Sequence, residues 1–303
     1  MTEKTKTSFI KILYITIIFL ASCLTSHAQK SEIGLFGGVS YYCGELTDNI
    51  FKGVGPAGGL VYRYNLSPRW ALKADVCFGK ISGSDGKTNS NYERNLSFTS
   101  PISEIGVTAE LNFFKLYNAT GKNRFSPYIF AGISVFSFNP QAALDTTPGA
   151  TLYNLQSMGT EGQGLIRYDN EGNELEPIKK YSLTSIAIPF GIGIKVTIGQ
   201  HFAFGAEWGM RYTFTDYLDD CGGLYYNNDM LREQRGDLVA DLADRRTPTP
   251  EHPNLIHEDN GVGRGMSTTK DWYSFAGISF TVKFGNESRT CDLKNPRKNR
   301  HKF

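Results

Sequence analysis

Few residues in this chain are placed to do chemistry. There are five histidines: His27, His201, His252, His257 and His301. His252 and His257 share one long polar stretch, and neither stands beside an organised serine of the kind a nucleophile–base pair needs. His257, Glu258 and Asp259 are all metal-ligating types, but three adjacent residues do not converge on one ion without the rest of a shell. Two polar motifs are richer. One holds Thr215, Asp216, Tyr217, Asp219 and Asp220; the other holds Thr160, Glu161, Gly162, Gln163 and Gly164. Their carboxylates could hold calcium, although the spacing is not that of an EF-hand, or could order loops by accepting backbone hydrogen bonds. A third set is dispersed: Arg63, Lys73, Asp75, Glu104, Glu110, Lys195, Glu207, Arg211 and Lys283. Each of these charges sits inside a segment whose residues alternate in character.

The alternation is clearest in His201–Phe214. From Phe202 every second residue is apolar or aromatic, through Trp208 and Met210 to Phe214; the other parity reads Ala203, Gly205, Glu207, Gly209, Arg211, Thr213. A period of two means a strand with two unlike faces. Ser185–Ile198 repeats the pattern, with Ile186, Ile188, Phe190, Ile192, Ile194, Val196 and Ile198 on one face. Only Gly199, Gln200 and His201 separate the two, enough for a hairpin. Both strands have the roughly 9–11 residues that cross a bilayer, and the apolar parity suits a lipid-facing wall.

Six more segments alternate: Glu32–Tyr42, Ala57–Leu66, Trp70–Ile81, Ser103–Phe114, Ser126–Phe138 and Asp271–Phe284. The connections sort by length. Asn65–Arg69, Tyr117–Phe125 and Gly199–His201 are short. Cys43–Val54, Ser82–Ile102, Asn139–Ser182 and Thr215–Lys270 are long and polar. Strict alternation of long and short is the outer-membrane pattern. The fold expected is an all-β, eight-stranded antiparallel transmembrane β-barrel with four long extracellular loops, short periplasmic turns and both termini in the periplasm. An interior that side chains just fill makes unpaired charge costly. The dispersed charges should therefore form a paired lumen network, with Glu207 and Arg211 as a pair and Glu110 and Lys195 as neighbours. Asp237–Pro253, charged and proline-rich, reads as mobile.

The 303 residues carry 32 glycines, 13% aromatics and a net charge of +2, with a mean hydropathy of −0.31. No internal run reaches the ~20 apolar residues of a spanning helix, and no basic patch interleaved with aromatics points to nucleic acid. Residues 1–28 read as a signal peptide: Lys4, Lys6 and Lys11 precede Ile12–Leu20, with cleavage between Ala28 and Gln29. Leu20–Cys23 also resembles a lipobox, which would make Cys23 a lipidated first residue. The barrel then spans 29–285 and a basic periplasmic tail 286–303. Cys43 and Cys221 both fall at the outer rim, where a bridge or free thiols are alternatives.

Several stretches resemble the PorG family: Glu32–Phe36, Tyr42–Leu46, Arg94–Phe98, Phe138–Ala142, Gly159–Gly164, Glu207–Arg211, Thr213–Asp220 and Asp271–Gly277. The resemblance implies an outer-membrane barrel of the Bacteroidota. It further implies a non-enzymatic assembly or anchoring role in type IX secretion and gliding, beside a periplasmic ring or lipoprotein. It implies no catalytic residues and no cofactor. The barrel itself is expected to be a monomer in outer-membrane lipid. A stand-alone barrel of the OmpA type and a lipid-modifying outer-membrane enzyme are the alternatives.

Overall fold

The computed structural model describes residues 31–47, 53–88, 94–116, 124–145, 147, 149–168, 173–199, 201–246, 262–265 and 269–284. Ala28 and Gln29, Cys23, His252, His257 with Glu258 and Asp259, and the tail lie outside these residues.

Eight long strands form the wall: β1 (Ser31–Cys43), β2 (Gly55–Asn65), β3 (Trp70–Ser84), β4 (Ser97–Asn112), β5 (Phe125–Phe138), β10 (Thr184–Ile198), β11 (Phe202–Thr213) and β12 (Trp272–Phe284). Each pairs antiparallel with its neighbours. The first and last close the ring, with Ser31 opposite Phe284 and Cys43 opposite Trp272. β3 and β4 complete it on the far side, with Trp70 opposite Leu111. Closure leaves no edge, so every wall strand has partners on both sides.

The period of two sorts the wall. Outward positions are apolar and exposed, Leu35 at 63%, Ile105 at 66% and Ile278 at 63%. An aqueous surface rarely shows so large a continuous apolar area, whereas a bilayer requires one. This is a transmembrane barrel. Inward positions hold the charges and most of the strand glycines. At Gly38 an added Cβ would lie 2.1 Å from the carbonyl oxygen of Ala276; the missing side chain lets β1 and β12 coil tightly there. Gly199 ends β10 with φ of +60°, the left-handed conformation a tight hairpin needs.

Two expectations about loops change. β3 runs on to Ser84 and β4 begins at Ser97, so both ends of the Ser82–Ile102 stretch are sheet: the hairpin rises past the belt with Gly83 opposite Phe98. The two longest loops are folded. The first carries β6 (Gln141–Ala142), β7 (Tyr153–Asn154), the short helix Leu155–Met158 and the ribbon β8 (Arg167–Tyr168) and β9 (Glu174–Leu175). β6 continues along β4, with Thr99 opposite Gln141. The second carries α3 (Asn228–Arg235) and α4 (Asp237–Ala243); Asp85–Thr88 and Leu155–Met158 count as α1 and α2. Asp237–Ala243 is thus an ordered helix rather than a mobile segment, because Val239, Ala240, Leu242 and Ala243 bury one of its faces.

Candidate functional site

The lumen is filled, in layers. At the turn end Arg63 places Nε 2.7 Å from Glu110 Oε2 and Nη1 3.0 Å from Glu32 Oε2. Lys195 Nζ lies 2.9 Å from the same Glu110 oxygen, and Lys283 Nζ is 4.0 Å from Glu32 Oε1. One layer up, Lys73 donates to both oxygens of Glu207 at 2.9 and 3.0 Å and lies 3.9 Å from Asp75. The Tyr128 hydroxyl also donates to Glu207. Above that, Arg211 reaches Glu104 at 3.2 Å, and Tyr273 donates to the same carboxylate.

Glu207 and Arg211 do not pair with each other. Four residues along a strand separate them by about 13 Å, so each finds its partner across the lumen. Glu32 joins the network although the sequence reading passed over it. It stands at the start of β1, on the same parity as Gly34 and Phe36, which was the available signal. With it, the lumen of the described residues holds five bases, Arg63, Lys73, Lys195, Arg211 and Lys283, against five acids, Glu32, Asp75, Glu104, Glu110 and Glu207.

Toward the loop end the filling turns aromatic. Phe36, Phe98, Phe136, Phe138, Tyr273 and Phe275 form one buried cluster, with Phe136 5.0 Å from Tyr273 and Phe36 6.4 Å from Phe275, ring to ring. The Arg211 guanidinium lies 4.7 Å over the Phe275 ring and joins the charged layer to the aromatic one. An ion would have to displace both layers. In planar bilayers the purified protein should therefore show no large, steady conductance; a stable channel of porin size would overturn the filled lumen.

The two polar motifs meet above this plug. Arg264, 2% exposed, is their centre. Its guanidinium lies 3.3 Å from Glu161 Oε1 and 3.3 Å from Asp220 Oδ2, and donates to the carbonyls of Ala243 and Asp220. Glu161 accepts the backbone N–H groups of Gly222 and Gly223, each at 3.1 Å, and Gln163 accepts that of Glu161. Asp220 also accepts from Thr160 and, at 2.6 Å, from Tyr181. Tyr181 in turn stacks between Phe138 and Tyr217. Gly162 packs against the Tyr226 ring, and Arg235 holds the carbonyls of Gly159 and Gln163 beside Gly164. Thr215 accepts from Asp271 N and from Tyr217 N. The carboxylates of Glu161, Asp219 and Asp220 are thus occupied in ordering loops, while Asp216 keeps Oδ2 buried without a hydrogen-bond partner, and the described residues gather no group of three or more metal-ligating side chains. Arg264 lies between two glycines, Gly263 and Gly265, and nothing in its local sequence marks it. The helical hairpin closes the hood: Asn227 caps α3 by accepting from Met230 N, and Asn228 ties α3 to the Ala240 carbonyl of α4. Cys43, Cys77 and Cys221 are free thiols, so no Cys43–Cys221 bridge forms.

Where hood meets barrel, the Tyr42 hydroxyl lies 2.7 Å from Asp219 Oδ2 and 2.7 Å from Asp271 Oδ1. A phenol donates one proton, so one carboxyl must itself be protonated to complete both bonds. Burial pushes Asp219 up to about 7. Burial, and then the charge of Asp219, raise Asp271 well above the ordinary carboxylate range. Arg94 and Glu45 also face this site. A carboxyl whose pKa is raised on folding contributes stability that is complete below its unfolded pKa and lost as pH rises through the folded one. Hood stability should therefore fall as pH rises from about 4 through about 7. Protease resistance of the loops, followed from pH 5 to 8, should decline in the wild type and change far less when Asp219 and Asp271 are both replaced by Asn. A level wild-type profile would refute the shared proton.

Fold and site together define a class: a closed eight-stranded transmembrane barrel with a plugged lumen and a folded cap. Within that class the chain belongs to the DUF6089 family, described as a domain of unknown function, whose model matches residues 11–158 and 150–241. No curated protein matches the sequence. Among solved structures the chain is similar to Neisserial surface protein A, at 11% identity and a TM-score of 0.40 over 86% of this chain and 100% of that one. It is similar to Ail of Yersinia pestis in complex with the heparin analogue sucrose octasulfate, at 9% identity and 0.37 over 85% and 100%. It is also similar to OprG of Pseudomonas aeruginosa, at 11% identity and 0.32 over 86% and 98%.

Proposed function

We propose that this protein is a non-enzymatic barrel of the bacterial outer membrane that anchors or assembles a type IX secretion system. The observation that carries the first half is the doubly closed interior. A barrel plugged by ion pairs and rings, then capped by a folded hood, offers surfaces rather than a path. In outer-membrane barrels the long loops face outward and the short turns face the periplasm, so the hood would be extracellular and a periplasmic ring or lipoprotein would be met at the turn end. Support for the secretion role is the PorG resemblance. Its most specific run, Glu207–Asp220, forms the loop-side half of β11 and the hood core around Asp219 and Asp220. The three turns are too small for the ~800 Å² per partner of a typical specific interface. The basic tail after Phe284 is the further contact surface, and its steering of an acidic partner would fade with salt.

Affinity capture from native membranes should bring down a periplasmic ring or lipoprotein. A chain ended after Gly285 should still insert but retain less of it at low salt. Full secretion in a deletion strain, with no partner captured, would reject the secretion role. It would favour a stand-alone surface-binding barrel, a reading the exposed hood residues Leu144, Leu152, Ile166, Leu224 and Val262 also suit.

A further inference from the structure

We infer that the outer side of the β3–β4 hairpin, at the loop-side margin of the apolar belt, is a binding site for the phosphorylated headgroup of a membrane lipid. The inference rests on the membrane reading above and adds a ligand to it. The margin is sharp. On β3 the outward positions are apolar as far as Phe78, which is 57% exposed; the next three are Lys80, Ser82 and Ser84. On β4 the change falls between Ile105 and Ser103, and Ser103 stands directly opposite Phe78. Headgroups lie at this level.

A cleft of about 480 Å³ opens there, between the hydroxyl-bearing face of the hairpin and a wall formed from Gln141–Ala143, Asp145, Thr147, Gly149, Ala150 and Leu152. That is the size range of small-ligand sites. Its charge is unbalanced. The Lys80 ammonium has no ion-pair partner among the described residues. Behind the cleft, the Arg245 guanidinium donates to Ser97 Oγ at 3.0 Å and to the Ala143 carbonyl, both from residues that line the cleft. No described carboxylate answers Arg245, and its Nε is buried without a hydrogen-bond partner. The buried Arg63, Arg211, Arg246 and Arg264 each have an acid beside them, whereas half-buried Arg245, like Arg235, meets no carboxylate among the described residues. The one acid among the described lining residues, Asp145, is engaged by the N–H and hydroxyl of Thr147. Lys80 on the lining, with the positive charge of Arg245 behind Ser97, suits a phosphate. The opposite wall is apolar, through Ala142, Ala150 and Leu152, and Leu144 and Leu152 stand 44% and 46% exposed beside it. A free phosphate has no use for these leucines; an amphiphile held at the membrane surface does.

The test uses the full-length purified barrel in detergent, with native mass spectrometry as the readout. The probes are a bisphosphorylated glucosamine-disaccharide lipid, the same lipid without its phosphates, and inorganic phosphate. The wild type should retain the phosphorylated lipid preferentially, and Lys80→Gln should retain about fivefold less of it, as expected for one basic residue at a lipid surface. Inorganic phosphate at millimolar concentration should not displace it. Equal retention of the two lipids, or no difference between wild type and Lys80→Gln, overturns the site. Ready displacement by inorganic phosphate overturns the lipid in favour of a soluble anion. Heat-resistant migration on a gel separates these failures from a failure of the membrane reading: a folded barrel without phosphate preference rejects the site alone.

Discussion

Glu110→Gln should lower the unfolding temperature of the barrel by on the order of 10 °C, the largest drop expected from any single lumen substitution. Glu110 is fully buried and one of its oxygens serves both Arg63 and Lys195. Removing its charge leaves Arg63 with Glu32 but strips Lys195 of its only ion pair within 4 Å among the described residues. Breaking a buried pair costs about 3–5 kcal/mol, chiefly because the surviving charge stays in a medium of low polarity. The remedy follows from the cause. Lys195→Met added to Glu110→Gln should recover part of the loss, because no bare charge then remains. Heat-modified migration on gels, or circular dichroism in detergent, measures both. Wild-type melting in Glu110→Gln would mean that water reaches the lumen and screens the cations, which would also remove the basis for a non-conducting barrel.

The wall was legible in the sequence because one physical constraint repeats along every strand. A residue facing lipid must be apolar and its neighbour must fit a narrow interior. His201–Phe214 shows this so plainly that strand, turn and inward charges follow from it. Partners were not legible. Residues i and i+4 share a face, which suggested Glu207 with Arg211, but their separation along the strand exceeds the reach of either side chain. Lys73 and Glu104, each on a distant strand, are the actual partners. The aromatic plug was hidden for a different reason. On β5 the inward Tyr128, Phe130, Phe136 and Phe138 alternate with outward Ile129, Ile133 and Val135, so both parities are apolar and periodicity alone cannot say which rings fill the barrel.

The hood was read as polar loops because its composition is polar. Its order comes from contacts that span the chain: Arg264 meets Glu161 from 103 residues away and Asp220 from 44. One local signal was present. Val239, Ala240, Leu242 and Ala243 fall at the one-three-four spacing of a helix face, and that face is buried. The charged residues among them concealed it.

Arg264→Ala should unfold the hood and spare the wall. The substitution leaves two carboxylates, Glu161 and Asp220, buried without their cation, and frees the carbonyls of Ala243 and Asp220 that the guanidinium held. The expected cost is again about 3–5 kcal/mol, but it falls on loops whose described residues form two small apolar clusters of their own, around Leu231 and Leu155. No hydrogen bond of the barrel ladder passes through Arg264. The two parts should therefore separate: loop cleavage by added protease should rise at least tenfold, while heat-resistant migration of the barrel stays near wild type. Arg264→Lys should fall between, since one ammonium restores the charge but cannot span four acceptors in the plane of a guanidinium. The same variant probes the roof of the plug. Tyr181 is held between Phe138 and Tyr217 by its bond to Asp220, so loss of the hood should expose these rings to quenchers in solution. If Arg264→Ala resists protease as the wild type does, the hood is held by its apolar clusters and the buried arginine is a passenger. If instead the whole barrel loses its heat resistance, hood and wall fold as one unit, and the ladder depends on the cap above it.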